Sequence, residues 1–195
     1  MDLTSDSWLD RLKSAEPNDP HWRRLKDIYE PWILRWLARE PELGDEADDI
    51  AQEVMVFLVR ELPNFRRQRA GSFRRWLSEI LLNRVRAHWR QRKRQPRTGL
   101  DGEAGEIFAE QLADPASALS QQWDREHDQF VLQRLMATVQ HDFTQTTWEA
   151  FHRCTIGGES PTAVAADLGI TANAVLTGKS RILRRLREEA SGLID

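Results

Sequence analysis

"AADLGITANAV", residues 165–175, sets a glycine between two stretches of helical pattern. Upstream, Ser160-Pro161 reads as an N-cap followed by proline at the first helical position, where its missing N–H costs nothing. Downstream, Thr171 can cap a second helix whose apolar stripe runs through Val175, Ile182, Leu183 and Leu186. Gly169 fits the left-handed residue that ends the first helix, and small Ala165 lets the two helices cross closely. Two short helices joined by a tight glycine turn describe a helix-turn-helix, with an ordinary helical hairpin as the alternative.

Helical periodicity extends over most of the chain. Leu25, Ile28, Tyr29, Trp32, Ile33, Trp36 and Leu37 lie on one stripe, and Pro31 inside it predicts a kink or a break. A second helix is expected from about residue 45 to 62, facing Ile50, Val54, Phe57 and Leu58 inward. A third starts near Ser72 and carries Phe73, Trp76, Leu77, Ile80, Leu81, Val85 and Trp89. Residues 96–116 hold Gly99, Gly102, Gly105 and several acids, the composition of a flexible linker. The pattern resumes at Leu119, Trp123, Phe130, Val131, Leu135, Met136 and Val139. Thr146 and Glu149 make a capping box for a short helix through Trp148 and Phe151. No segment alternates with period two. The expected fold is all-α: two small helical domains (residues 21–95 and 117–195) behind an N-terminal extension (1–20), joined by a flexible acidic linker (96–116).

The chain has 195 residues, 40% hydrophobic and 30% charged, with a formal net charge of −3. That average hides a sorting of charge along the sequence. Residues 40–53 contain seven acids and no base, whereas residues 60–97 contain thirteen bases against Glu61 and Glu79, a local +11. Residues 98–130 turn acidic, and Lys179, Arg181, Arg184, Arg185 and Arg187 form a second basic group. Two basic segments separated by acidic ones suggest two nucleic-acid contacts and further partner surfaces. The single Cys154 excludes an internal disulfide, no apolar run approaches a bilayer span, and Met1-Asp2-Leu3-Thr4 lacks the order of a secretory signal. A cytoplasmic protein without membrane insertion is expected.

Catalytic constellations are not apparent. Glu149-x-x-His152 has a di-iron spacing, but its one approximate partner is Asp124-x-x-His127, and such sites need further glutamates. Both histidines are expected on half-exposed helix faces. Cys154 near His152 lacks a strained turn or an oxyanion donor. No enzyme activity, metal or cofactor is expected, and the eight tryptophans read mainly as core.

Three stretches, in order, carry a resemblance: "EADDIAQEVMVFLVRELPNFR", "GSFRRWLSEILLNR" and "GITANAVLTGKSRILRRLREE". They resemble successive landmarks of bacterial RNA polymerase sigma factors, in particular the small two-domain extracytoplasmic-function group. The likeness covers residues 22–94 as region two and 119–189 as region four. It implies that Asp48, Asp49, Gln52 and Glu53 dock on the clamp helices of the polymerase's largest subunit. The loop with Asn64, Arg66, Arg67, Arg69 and Ser72 would capture a base flipped from the minus-ten element. Trp76, Asn83 and Arg84 would hold the melted strand. Thr171, Asn173, Thr177, Lys179, Ser180, Arg181 and Arg184 would contact the minus-thirty-five element.

The sequence departs from the family pattern at Leu82, Ala87, Leu176 and Gly178, the last expected to interrupt its helix and to let it approach the groove wall. The acids Asp101, Glu103, Glu106, Glu110 and Asp114 would thread the linker through the polymerase. Partners implied are core RNA polymerase and promoter DNA, duplex and melted, with an anti-sigma factor or other regulator left open. The rival reading is a free-standing helix-turn-helix regulator, which accounts for residues 144–189 but gives no role to the acidic face or the basic loop.

Overall fold

A computed structural model describes residues 8–16, 19–44, 46–66, 72–93 and 103–194. Nine α-helices occur among them, with no extended strand. The chain divides into two compact units, one centred on Leu9–Val131 and the other on Leu132–Ser191.

The first unit is built on α2 (Pro20–Leu37), α3 (Glu46–Glu61) and α4 (Ser72–Lys93). Asp19 caps α2 by accepting the His21 N–H, with Pro20 at the position where proline is harmless. Pro31 was expected to kink or break α2; it does not break the helix, which runs on through it. Proline in a helix interior costs about 3 kcal/mol. Here the surrounding residues Ile28, Tyr29, Trp32, Ile33 and Trp36 are all buried, and that packing outweighs the lost hydrogen bond. The N-terminal segment adds a short helix, α1 (Trp8–Lys13), whose Leu9 and Leu12 are buried in this unit's core.

The stretch read as a flexible tether is different in the structure. It carries α5 (Glu103–Ala113), which lies along α4 and buries Phe108, Ala109 and Leu112. The following helix, α6 (Ala118–Val139), crosses from the first unit to the second, so the boundary falls inside it at Val131/Leu132. The first half of α6 is held on α2 and α4. Trp123 sits 5.2 Å from Trp32 and 4.9 Å from Trp36, ring centre to ring centre. Glu126 accepts a 2.6 Å hydrogen bond from Arg39, and Arg74 pairs with both Asp124 (2.8 Å) and Asp128 (2.6 Å). Part of the acidic run is thus matched to arginines within its own unit.

His127 was expected on a half-exposed face; it is fully buried. Its ring stacks on Tyr29 and meets Trp32 edge-on, while Nδ1 lies 3.0 Å from the Asp128 carboxylate. Burial holds the imidazole below its usual pKa, with Arg74 adding to that effect and Asp128 and Asp124 opposing it. Burial raises the Asp128 carboxyl, but hydrogen bonds to His127 and Arg74 bring the net shift down.

In the second unit, α7 (Gln145–Thr155), α8 (Pro161–Leu168) and α9 (Ala172–Ala190) pack pairwise around Ala150, Val164, Ala165 and Val175. The cap of α7 is Thr144, whose hydroxyl accepts the Thr147 N–H, rather than the expected Thr146–Glu149 box. Ser160 caps α8 through the Ala163 N–H, Pro161 follows it, and Gly169 ends the helix at φ 65°. That left-handed backbone favours glycine. Thr171 then caps α9 through the Ala174 N–H.

Gly178 neither interrupts α9 nor faces outward. The helix continues through it, and the residue is buried against α7, where an added Cβ would lie 2.9 Å from Thr147 Cγ2. It is the close approach of α7, not of a groove wall, that requires glycine there.

Candidate functional site

The first unit presents two adjacent chemistries. Asp48 and Asp49 lie in the first turn of α3, where carboxylates complement the helix dipole. With Gln52 and Glu53 they are exposed along one side of the helix, as their spacing requires. The same side continues toward the C-terminus with Val56, 66% exposed, and Val59, 40% exposed. Neither valine was singled out from the sequence. Within the run "VMVFLV" apolarity alone does not separate the inward Val54 and Leu58 from the outward pair. Projecting the acidic positions forward by three- and four-residue steps would have done so.

Beside this face lies the basic helix α4. Arg84, on α4, reaches to 3.9 Å from Glu53 of α3 and covers the Phe57 ring at 4.7 Å. A residue expected at the polymerase surface and one expected on DNA are therefore neighbours. Leu82 is buried, while Asn83 next to it is exposed. Leu82 thus belongs to the packing of α4 and Asn83 to its surface.

At the N-terminal end of α4, Trp76 is half-buried and stacks on Phe65 at 4.8 Å with the rings 28° apart. Phe73 packs edge-on against Phe65, and Lys13 Nζ lies 5.5 Å from the Phe65 ring centre. Asn64 and Arg66, next to Phe65 in the sequence, are exposed. Arg67 and Arg69 lie outside the described residues, and Ser72 is the first residue of α4.

In the second unit, α9 is two-faced. Val175, Gly178, Ile182 and Leu186 are buried, and Asn173, Thr177, Ser180, Arg181 and Arg184 are exposed on the opposite side. Leu176 joins the exposed set at 53%. An open concavity of about 310 Å³ is lined by Leu176, Thr177, Ser180, Arg181 and Arg184. Lys179 is half-buried, turned away from the centre of this strip, and the Thr171 hydroxyl oxygen is engaged as the cap. The Arg181 guanidinium lies 5.9 Å from the centre of the Phe143 ring, at the outer limit of a cation–π contact. Arg185 is turned to Asp142 at 3.0 Å and to Glu189 at 2.6 Å. Arg181, Arg184 and Arg187 are the exposed arginines of α9, with Arg184 3.9 Å from Glu188.

Among the described residues, no group of His, Cys, Asp and Glu is arranged to hold a metal, and no helix is long and apolar enough to cross a membrane. Cys154 is a half-buried free thiol beside the core of the second unit.

The family model for sigma-70 region 2 matches residues 25–95, the span from α2 through α4. The match supports membership of the sigma-70 family. No curated protein matches the chain.

Proposed function

We propose that the chain is a sigma factor of the extracytoplasmic-function type, which binds core RNA polymerase, recognises a two-part promoter and opens it. The observation that carries this reading is the side-by-side placement of an acidic, partly apolar α3 face and the basic, aromatic-based α4, inside the segment that matches sigma-70 region 2. A helix bearing Asp48, Asp49, Gln52 and Glu53 suits a basic protein partner, and exposed Val56 and Val59 supply the apolar area that an interface core needs. The aromatic cluster with Trp76, and the cationic groups Arg66, Arg67, Arg69 and Arg84, suit a melted strand: arginines neutralise phosphates and a ring receives an unstacked base. Flipping a base costs a few kcal/mol, which stacking on an aromatic ring and contacts to polar groups would offset.

In the second unit, α8 and α9 act as a helix-turn-helix. The exposed strip of α9 enters the major groove of the minus-thirty-five element, with Asn173, Thr177, Ser180 and Arg181 toward base edges and Arg184 toward phosphate. Lys179 and Thr171 act at the margin of the strip, on the backbone. The chain works in the cytoplasm, as a transcription factor without catalytic chemistry of its own.

The docking half of this proposal is tested by Asp48→Ala/Asp49→Ala. The double variant should bind core polymerase more weakly at low salt, with the deficit shrinking as salt rises, and should keep its helical content. Unchanged affinity at low salt would remove the assignment. Retained sequence-specific binding to duplex by a chain that never associates with polymerase would favour a free-standing regulator.

A further inference from the structure

We infer that Leu176 is a specificity residue, packing on the C5-methyl group of a thymine in the upstream promoter element. The inference rests on the reading of α9 as the helix that enters the groove. Leu176 lies in the second turn of α9, where a groove-binding helix approaches base edges. Its side chain is 53% exposed, about 100° around the helix from Val175 and about 120° from Ile182, which face inward. Four residues on comes Ser180 and eight on Arg184, so the three form one row along the strip. Thr177 and Arg181 form the row beside it, and all five line the same concavity.

The surroundings limit what Leu176 can meet. Arg181 and Arg184 carry the charge that draws in a phosphate backbone, so the strip becomes a nucleic-acid surface and not an apolar one. Within that surface Leu176 offers neither donor nor acceptor. Set against a guanine, adenine or cytosine edge it would desolvate polar atoms and return nothing. The thymine methyl is the apolar feature of the major-groove edge, and it is what a leucine there can match. One methyl taken out of water contributes about 0.8 kcal/mol, or about fourfold in preference.

The full-length chain, wild type or Leu176→Ala, is assembled with core RNA polymerase and mixed with duplex pools randomised over both promoter elements. One pool is made with thymine and the other with 2′-deoxyuridine, and bound duplexes are sequenced after one round. The wild type should prefer thymine at one upstream position about fourfold more strongly than deoxyuridine at that position, with other preferences unchanged. Leu176→Ala should lose this difference and still select the remaining bases. Equal wild-type profiles from the two pools, or a difference that survives in Leu176→Ala, would overturn the inference while leaving α9 as the reading helix. Failure of the wild type to select any upstream element would overturn the reading of α9 itself, and the inference with it. Loss of polymerase binding by Leu176→Ala would place the side chain against protein and also overturn it.

Discussion

Replacing Gly178 by alanine sets two effects of known sign against each other. Alanine is favoured over glycine in a helix interior by about 1 kcal/mol, so Gly178→Ala should stabilise α9 if nothing opposes it. The new Cβ would, however, lie 2.9 Å from Thr147 Cγ2, closer than carbon atoms approach. Thr147 cannot simply rotate away, because its Oγ1 is 2.9 Å from Thr144 Oγ1 at the cap of α7. The helices must separate slightly, and overpacking of this kind costs about 1–3 kcal/mol. The net expectation is a loss of about 0–2 kcal/mol, felt in α7 and α9. Thr147→Ser removes Cγ2 and keeps the hydroxyl, so in that background Gly178→Ala should instead stabilise by about 1 kcal/mol. Hydrogen exchange of α7 and α9 amides at increasing denaturant measures the local free energy in the intact chain. A gain of about 1 kcal/mol in both backgrounds would refute the close approach of α7 as the reason for this glycine.

Three further variants test the burial of His127 and the exposed strip of α9. Since burial keeps folded His127 below its usual value of 6.5, the unfolded chain takes up a proton before the folded one as pH falls. Stability should therefore decline from about pH 6.5 down to the lowered value, and His127→Gln should flatten that decline in thermal melts; an unchanged slope would contradict the burial. Arg181→Ala should relax preference at one base pair, at about 1–3 kcal/mol. Arg184→Ala should weaken binding to all sequences alike and reduce the salt slope by about one counterion. Indistinguishable profiles from a promoter panel would abolish that division.

The reading of the second unit came from local signals that tertiary structure does not alter. Ser160, Gly169 and Thr171 act through their own backbone neighbours, and all three perform the expected capping roles. What the sequence concealed depends on contacts between distant segments. Leu9 and Leu12 are too few anchors to mark α1, and Phe108 and Leu112 are lost among the acids and glycines of α5. Their burial comes from the rest of the first unit. His127 is four residues after Trp123 and three before Phe130, a spacing that places it on the buried stripe of α6. Its polarity, read alone, pointed outward; Asp128 is its neighbour in sequence, but Tyr29 and Arg74 lie near it through the fold. For the candidate site, the acidic positions of α3 were legible from spacing, whereas the exposed valines and the pairing of Glu53 with Arg84 required the packed helices.

Whether this chain gives core RNA polymerase the ability to find and open a promoter can be measured directly. Purified full-length protein is added to core polymerase with a duplex recovered by selection, and permanganate reactivity of unpaired thymines is mapped. A short reactive stretch should appear at the minus-ten element, require both protein and polymerase, and fade when Arg66 and Arg84 are replaced by alanine while duplex binding persists. A chain that binds the duplex equally well alone and leaves its thymines unreactive with polymerase present would contradict the proposed role.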